Sequence, residues 1–333
     1  MSDILYPSTC EVEFKGKKPI DSWMKDWSLE QRIEKFFEFC QKFDQRDDGL
    51  LKDEYQIFSH RLLWAEHPYC TVMQQVTDNE LRMFYTLVFS FTNEHWGTFM
   101  KLKNEGIEAT RQHFTQNRHA RNDLFQIYYP KGTNVKDWIL DGPAKAAKDL
   151  AYLLQDIENG NNSTPWTMMG FAKILEAYFK KHQGFRSPLY PCKNTARYIA
   201  MSYPHLVDPE SILFGGTGHF DGLHQIFGGQ NLNGKVKYLI SENGEFISQN
   251  KYADQWLYQM DLLVNHPLNP MTSQKYLNIE DKSCLWWKHV AINHGAKKPT
   301  KQIPYTWIFP DTFNLSNRPE FLDEVKHKGL MYE

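Results

Sequence analysis

Between Leu213 and Leu223 the chain reads Leu-Phe-Gly-Gly-Thr-Gly-His-Phe-Asp-Gly-Leu, which sets Gly215, Gly216, Gly218 and Gly222 around Thr217, His219 and Asp221. Glycine has no Cβ, so a run this dense lets backbone amides approach a ligand closely. A histidine and a carboxylate beside such a run are the groups needed for acid–base work near neutral pH. The run lacks the Lys-Ser/Thr ending of a Walker loop and follows no strand of a βαβ unit, so a nucleoside triphosphate is not the expected ligand. Two readings stay open. One is a loop that touches a DNA phosphate or a flipped base. The other is a tight connection between helices with glycines at left-handed positions. His219 likewise reads either as an acid or base or as a structural hydrogen bonder.

Two further segments carry polar groups at helical spacing. In Pro191 to Ala200, Lys193, Asn194, Thr195 and Arg197 gather at the expected start of a helix over Asn194 to Ser202, where unpaired N–H groups and the positive end of the dipole favour an anion. A backbone phosphate fits there. In Ile279 to Lys288, Glu280 and Asp281 open an expected helix that runs to about Ile292. Their charge suits a helix start as well as it suits catalysis. Lys288 is placed to meet a phosphate or to neutralise a carboxylate. For a Schiff-base role it would need an apolar setting that depresses its pKa, and none is visible.

The elements that must position these groups read as helices. Ser28 with Gln31 forms a capping box, followed by Ile33, Phe36, Phe37, Cys40 and Phe43 at helical spacing up to Gly49. Thr77 with Glu80 opens a second helix with Leu81, Phe84, Tyr85 and Val88 on one face. Asp141-Gly142-Pro143 starts a third, lined by Ala147, Leu150, Ala151 and Leu154 and ended by the polar run Glu158 to Ser163. Thr164-Pro165 starts a fourth, through Ile174, Ala177 and Tyr178 to Gly184. A further helix is expected over Tyr252 to Val264. Strand signals are scarce, and the best is Lys235 to Ser248, where Asn243-Gly244 between alternating apolar residues predicts a two-residue hairpin. Three regions follow: 1–140, helical; 141–300, helical with the glycine run; and 301–333, an irregular tail rich in Pro and Asn.

Composition narrows the classes. The 333 residues carry a net charge of -2, with 15% aromatics, so this is not the strongly basic body that coats nucleic acid. Charge is unevenly spread. The stretch 172–197 holds six Lys or Arg against Glu176 alone, and five Lys lie between Lys282 and Lys301 with no acid. These are either solvated helix faces or parts of a phosphate-binding face. Cys10, Cys40, Cys70, Cys192 and Cys284 are odd in number and widely spaced, which argues against a disulfide framework and a zinc cluster, so no metal and no cofactor are expected. No long apolar run is present, which predicts a protein of the cytoplasm with no membrane partner. The oligomeric state is open.

Gly215 to Phe227, with Gly-Thr-Gly, then Gly222-Leu223, then Ile226-Phe227, resembles the Gly-Pro-Gly-Ala…Gly-Leu…Phe segment of the alpha-glutamyl/putrescinyl thymine pyrophosphorylase family, with Thr217 where proline is usual. Ile279 to Lys288 resembles that family's C-terminal signature, with Cys284 and Lys288 in agreeing positions. Phe91-Thr92-Asn93 echoes its N-terminal Phe-Thr-Asn without the Arg and Asp that should follow, and Asn194-Thr195-Ala196 stands where helix-hairpin-helix proteins have Lys-Thr-Ala. The resemblance spans roughly 85–300 through short motifs. It implies a mainly α, helix-hairpin-helix DNA glycosylase-like fold with a small β-hairpin, acting on DNA that contains modified bases.

Base flipping costs a few kcal/mol and requires a pocket with stacking and polar contacts. Excision further requires a carboxylate to stabilise oxocarbenium character at the sugar. Asp221 is the first candidate and Asp281 the second, although the register of the usual glycosylase aspartate after Thr195-Ala196 reaches only Ile212. The sequence therefore leads to a DNA glycosylase that removes a bulky hypermodified base in anti-phage defence. The alternatives are a phage transferase joining an amino acid or polyamine to an activated hydroxymethyluracil, and a non-catalytic helical DNA-binding protein.

Overall fold

The computed structural model describes residues 27–44, 68–92, 94–116, 127–241 and 244–293. In chain order its helices are α1 (Leu29–Asp44), α2 (Pro68–Met73), α3 (Asn79–Phe91), α4 (Trp96–Gln116), α5 (Val135–Leu150) and α6 (Tyr152–Glu158). They continue as α7 (Met168–Gln183), α8 (Leu189–Ser202), α9 (Thr217–Phe227), α10 (Lys251–Val264) and α11 (Lys275–Asn293). Four short strands accompany them: β1 (Trp166–Thr167), β2 (Val207–Asp208), β3 (Tyr238–Ile240) and β4 (Phe246–Ser248). The fold is mainly helical. No helix among the described residues is long and apolar enough to cross a membrane. Cys10, Gly49, Asn93, Asn243, the side chains of Phe43 and Lys288, Lys297, Lys298, and the tail 301–333 that begins with Lys301 lie outside what is described.

The described residues divide into two compact units. One is built from 27–44, 210–241 and 246–293, and thus from α1, α9, the hairpin, α10 and α11. The capping box is present at the start of α1: the Ser28 N–H donates to Gln31 Oε1 at 2.8 Å, and the Gln31 N–H donates to Ser28 Oγ at 3.2 Å. Ile33, Phe36, Phe37 and Cys40 are buried as their spacing requires, and Phe39 joins them. The buried stripe is wide because Trp286 of α11 meets both Phe36 and Phe39 edge-on, at 6.0 and 5.5 Å between centroids. The hairpin pairs Tyr238 with Ser248, Leu239 with Ile247 and Ile240 with Phe246. Its connection is therefore residues 241–245, not the two-residue Asn-Gly turn that the alternation predicted. Gly244 still adopts a positive φ of 81°.

The other unit holds 68–92, 94–116, 127–209 and 244–245. Here α3 packs on α5 and α8, and α8 packs on α7. Several helix starts differ from expectation by a cap. Asp78, next to Thr77, caps α3 by accepting the Leu81 N–H at 2.8 Å. Leu81 itself is 42% exposed, and the buried side of α3 is carried by Met83, Phe84, Leu87, Val88 and Phe91. Asn134 caps α5, so Asp141-Gly142-Pro143 lies inside a helix that also runs across the 140/141 boundary. Thr167, not Thr164, caps α7 by accepting the Gly170 N–H at 3.0 Å, and Gly184 ends it in the left-handed region at φ 64°. The parallel pairing of Trp166 with Val207 and Thr167 with Asp208 had no signal in the sequence.

Candidate functional site

The glycine run leads into α9, and two of its glycines, Gly218 and Gly222, face α11. None of Gly215, Gly216, Gly218 and Gly222 takes a positive φ, so the left-handed connection is not what they supply. A Cβ on Gly218 would stand 2.5 Å from Cys284 Sγ, and one on Gly222 would strike the carbonyl of Ser283, with the carbonyl carbon at 2.6 Å. Gly215 lies under the ring of His219. The helices approach so closely because two side chains are missing, at Gly218 and Gly222, where α9 meets α11. Gly216, at φ -88° and ψ -175°, has open space around its Cβ position and caps α9 without a side-chain bond. Gly216 and Thr217 are the exposed part of the run.

His219 is fully buried, and hydrogen bonds hold both of its ring nitrogens. The Trp256 indole N–H donates to Nε2 at 2.9 Å. An indole is a donor only, so Nε2 accepts and the ring proton sits on Nδ1. That proton goes to Ser283 Oγ at 2.6 Å, and Ser283 donates in turn to the carbonyl of Glu280 at 2.9 Å. The relay runs in one direction from the core to α11, and a second ring proton would be set against the indole N–H. Asp221 is buried and accepts from the Asn231 amide at 2.8 Å. Glu280 is also buried, and its Oε1 accepts the Gly216 N–H at 3.4 Å. Lys282 is buried and Asp281 half-buried beside it. Because α11 begins at Lys275, Glu280 and Asp281 fall in its second turn, beyond the reach of the helix-end charge.

Lys193, Asn194, Thr195 and Arg197 belong to the other unit. They do not stand at a helix start. α8 begins at Leu189, Pro191 is its third residue, and the Cys192 N–H already donates to the Pro188 carbonyl at 3.1 Å. All four are buried. Asn194 donates to Glu94 Oε1 at 3.2 Å and accepts from Arg197 Nη1 at 3.3 Å, while Thr195 donates back to the Pro191 carbonyl at 2.9 Å. Glu94 holds an uncommon φ of 66° in doing so. Burial, and then the charge of Glu94, push the Tyr198 hydroxyl far above its ordinary pKa.

Glu280, Trp256, Ser283 and Asn231 complete the α9–α11 seam. Of these only Glu280 stood out in the sequence, as a neighbour of Asp281. Among the described residues no group of three or more His, Cys, Asp or Glu is arranged to hold a metal ion. Comparison with protein-family models, curated proteins and solved structures found no match.

Proposed function

We propose that this chain extrudes a bulky hypermodified base from DNA and excises it, in the manner of a helix-hairpin-helix glycosylase, in defence against phage. The observation that carries the reading is the seam itself. The two segments on which the resemblance rests, Gly215 to Phe227 and Ile279 to Lys288, are far apart in sequence, yet α9 and α11 pack on each other in one compact unit. A pair of motifs that meet in space is what one shared site requires. In the other unit, α7, the connection 184–188 and α8 form a helical hairpin, which supports the finer reading of the fold.

Glu280 takes the catalytic carboxylate role in this proposal. It is bonded to Gly216, where the seam reaches the surface, and a carboxylate there stabilises positive charge developing at the sugar. Asp221 and Asp281 are the alternatives. Gly216 and Thr217, the exposed part of the run, line the approach of the strand, with Lys288 a phosphate ligand on the sequence alone. His219 orders the seam, and the buried side chains of Lys193, Asn194, Thr195 and Arg197 order α8.

The test is to incubate the purified chain with genomic DNA from phages of differing base chemistry, weigh the released bases, and probe the DNA for alkali-labile abasic sites. Glu280→Gln is expected to slow release by about 100-fold or more, the scale of losing one electrostatic contact to the transition state. Retention of a labelled amine in the DNA, with no base released, replaces excision by transfer. Release unchanged in Glu280→Gln, Asp221→Asn and Asp281→Asn refutes the site. Failure to release any base or join any amine leaves a non-catalytic DNA-binding protein.

A further inference from the structure

We propose that the β3–β4 hairpin and the start of α10 form a DNA-holding surface, with Lys235, Lys237 and Lys251 on phosphates and the Leu239–Ile247 pair pressed against bases. It rests on the reading of a DNA-acting enzyme and names the part of this unit that grips the strand. One side chain assembles the lysines. Asn250 Oδ1 accepts the N–H of Lys237 at 3.3 Å and of Ala253 at 3.0 Å, while its Nδ2 donates to the Lys235 carbonyl at 2.9 Å. Lys251 follows directly as the first residue of α10.

None of the three lysines forms an ion pair among the described residues. Lys235 Nζ and Lys251 Nζ instead lie 5.9 and 5.2 Å from the centre of one ring, Tyr252. The opposing charges nearby in sequence are Glu242 and Glu245, in the hairpin connection, and Asp254, in the first turn of α10. A cation at the first position of a helix faces the positive end of the dipole, an arrangement that a bound anion reverses.

The apolar half stands beside them. Leu239 and Ile247 are direct cross-strand partners, 57% and 43% exposed, on the face opposite Tyr238 and Phe246. Tyr238 and Phe246 stack on each other at 4.7 Å, and Phe246 packs on Trp256 at 5.1 Å. The hairpin is thus anchored through the indole that holds His219. Interface cores between proteins are depleted in lysine. Lysines flanking a small apolar wedge match a strand whose bases are being unstacked, where wedges of Leu and Ile are common.

The test follows a fluorescein-labelled unmodified duplex by anisotropy across a salt series, using the full chain. Lys235→Gln/Lys237→Gln/Lys251→Gln is expected to lower the slope of log affinity against log salt by about 3, near one unit per phosphate contact. Lys131→Gln/Lys148→Gln/Lys181→Gln, exposed lysines of the other unit, should leave it unchanged. Leu239→Ser/Ile247→Ser should keep the slope and lower the fluorescence of a 2-aminopurine placed in the duplex several-fold, with an unchanged urea midpoint showing that the fold is intact. An unchanged slope in the first triple variant overturns the surface, even where wild-type chain still releases bases. A reduced slope with no base released from any phage DNA keeps the surface and removes the excision reading. Wild-type chain that ignores the duplex, whether or not it binds anionic vesicles or self-associates through the hairpin, overturns both.

Discussion

Adding one methyl group at Gly222 should separate α9 from α11, whereas the same change at Gly218 should be nearly silent. At Gly222 the new Cβ meets Ser283 backbone, with the carbonyl carbon at 2.6 Å against the 3.4 Å at which ordinary contact begins. The seam must open by at least about 0.8 Å, and a gap of roughly 0.5–1 Å forfeits a quarter to a half of each dispersion contact of about 0.1–0.2 kcal/mol. Over a few tens of atom pairs that is on the order of 2 kcal/mol. The 2.6 Å bond between His219 and Ser283 stretches with it, for about 1 kcal/mol more. Alanine returns just under about 1 kcal/mol through helix propensity, leaving a net loss of roughly 2 kcal/mol. At Gly218 the obstacle is Cys284 Sγ at 2.5 Å, the end of a side chain that can rotate, so the propensity gain roughly cancels the crowding. Urea denaturation of wild type, Gly222→Ala and Gly218→Ala measures both. Gly222→Ala within 0.5 kcal/mol of wild type (about the size of an ordinary surface substitution), or Gly218→Ala costing more, would show that the helices are not held by this close approach.

Three further outcomes are expected. Burial, and then His113, hold His95 down at about 3. Its folded pKa lies below the unfolded value of about 6.5, so its contribution is present above pH 6.5 and is lost as pH falls towards 3, by roughly 1 kcal/mol per unit. His95→Gln should flatten the stability profile between pH 7 and 5, and an unchanged profile contradicts the assignment. Trp256→Phe removes the N–H that His219 Nε2 accepts and should cost roughly 2–4 kcal/mol of stability in urea, through lost volume and an unpaired buried nitrogen. Ser28→Ala opens the capping box of α1 and should cost about 1 kcal/mol by the same measurement.

What was legible in the sequence was local. The capping box at Ser28 and the glycine stop at Gly184 depend on atoms three to six residues apart, and both are present. Starts slipped where two caps compete within a few residues, as Thr77 does with Asp78 and Thr164 with Thr167. Proline misled twice. Pro143 lies inside α5, and Pro191 is the third residue of α8, where its missing N–H has no helical partner to lose. The glycine run was recognised as unusual, but nothing within 215–222 says that its partner is Ser283 and Cys284. The partners of His219 lie 37 and 64 residues away, so the tautomer could not be read either.

Among the described residues, the α1 unit takes 27–44 and then nothing more until 210, and 68–209 of the other unit lie between them in sequence. A ribosome therefore releases α1 long before α9, α10 and α11 exist to cover its Phe36, Phe37 and Phe39. The intervening unit has 68–209 in hand and can close first, while the aromatic stripe of α1 waits for partners made more than 170 residues later. During synthesis that stripe is the exposed sticky surface of the nascent chain, and a product truncated before α9 keeps it permanently.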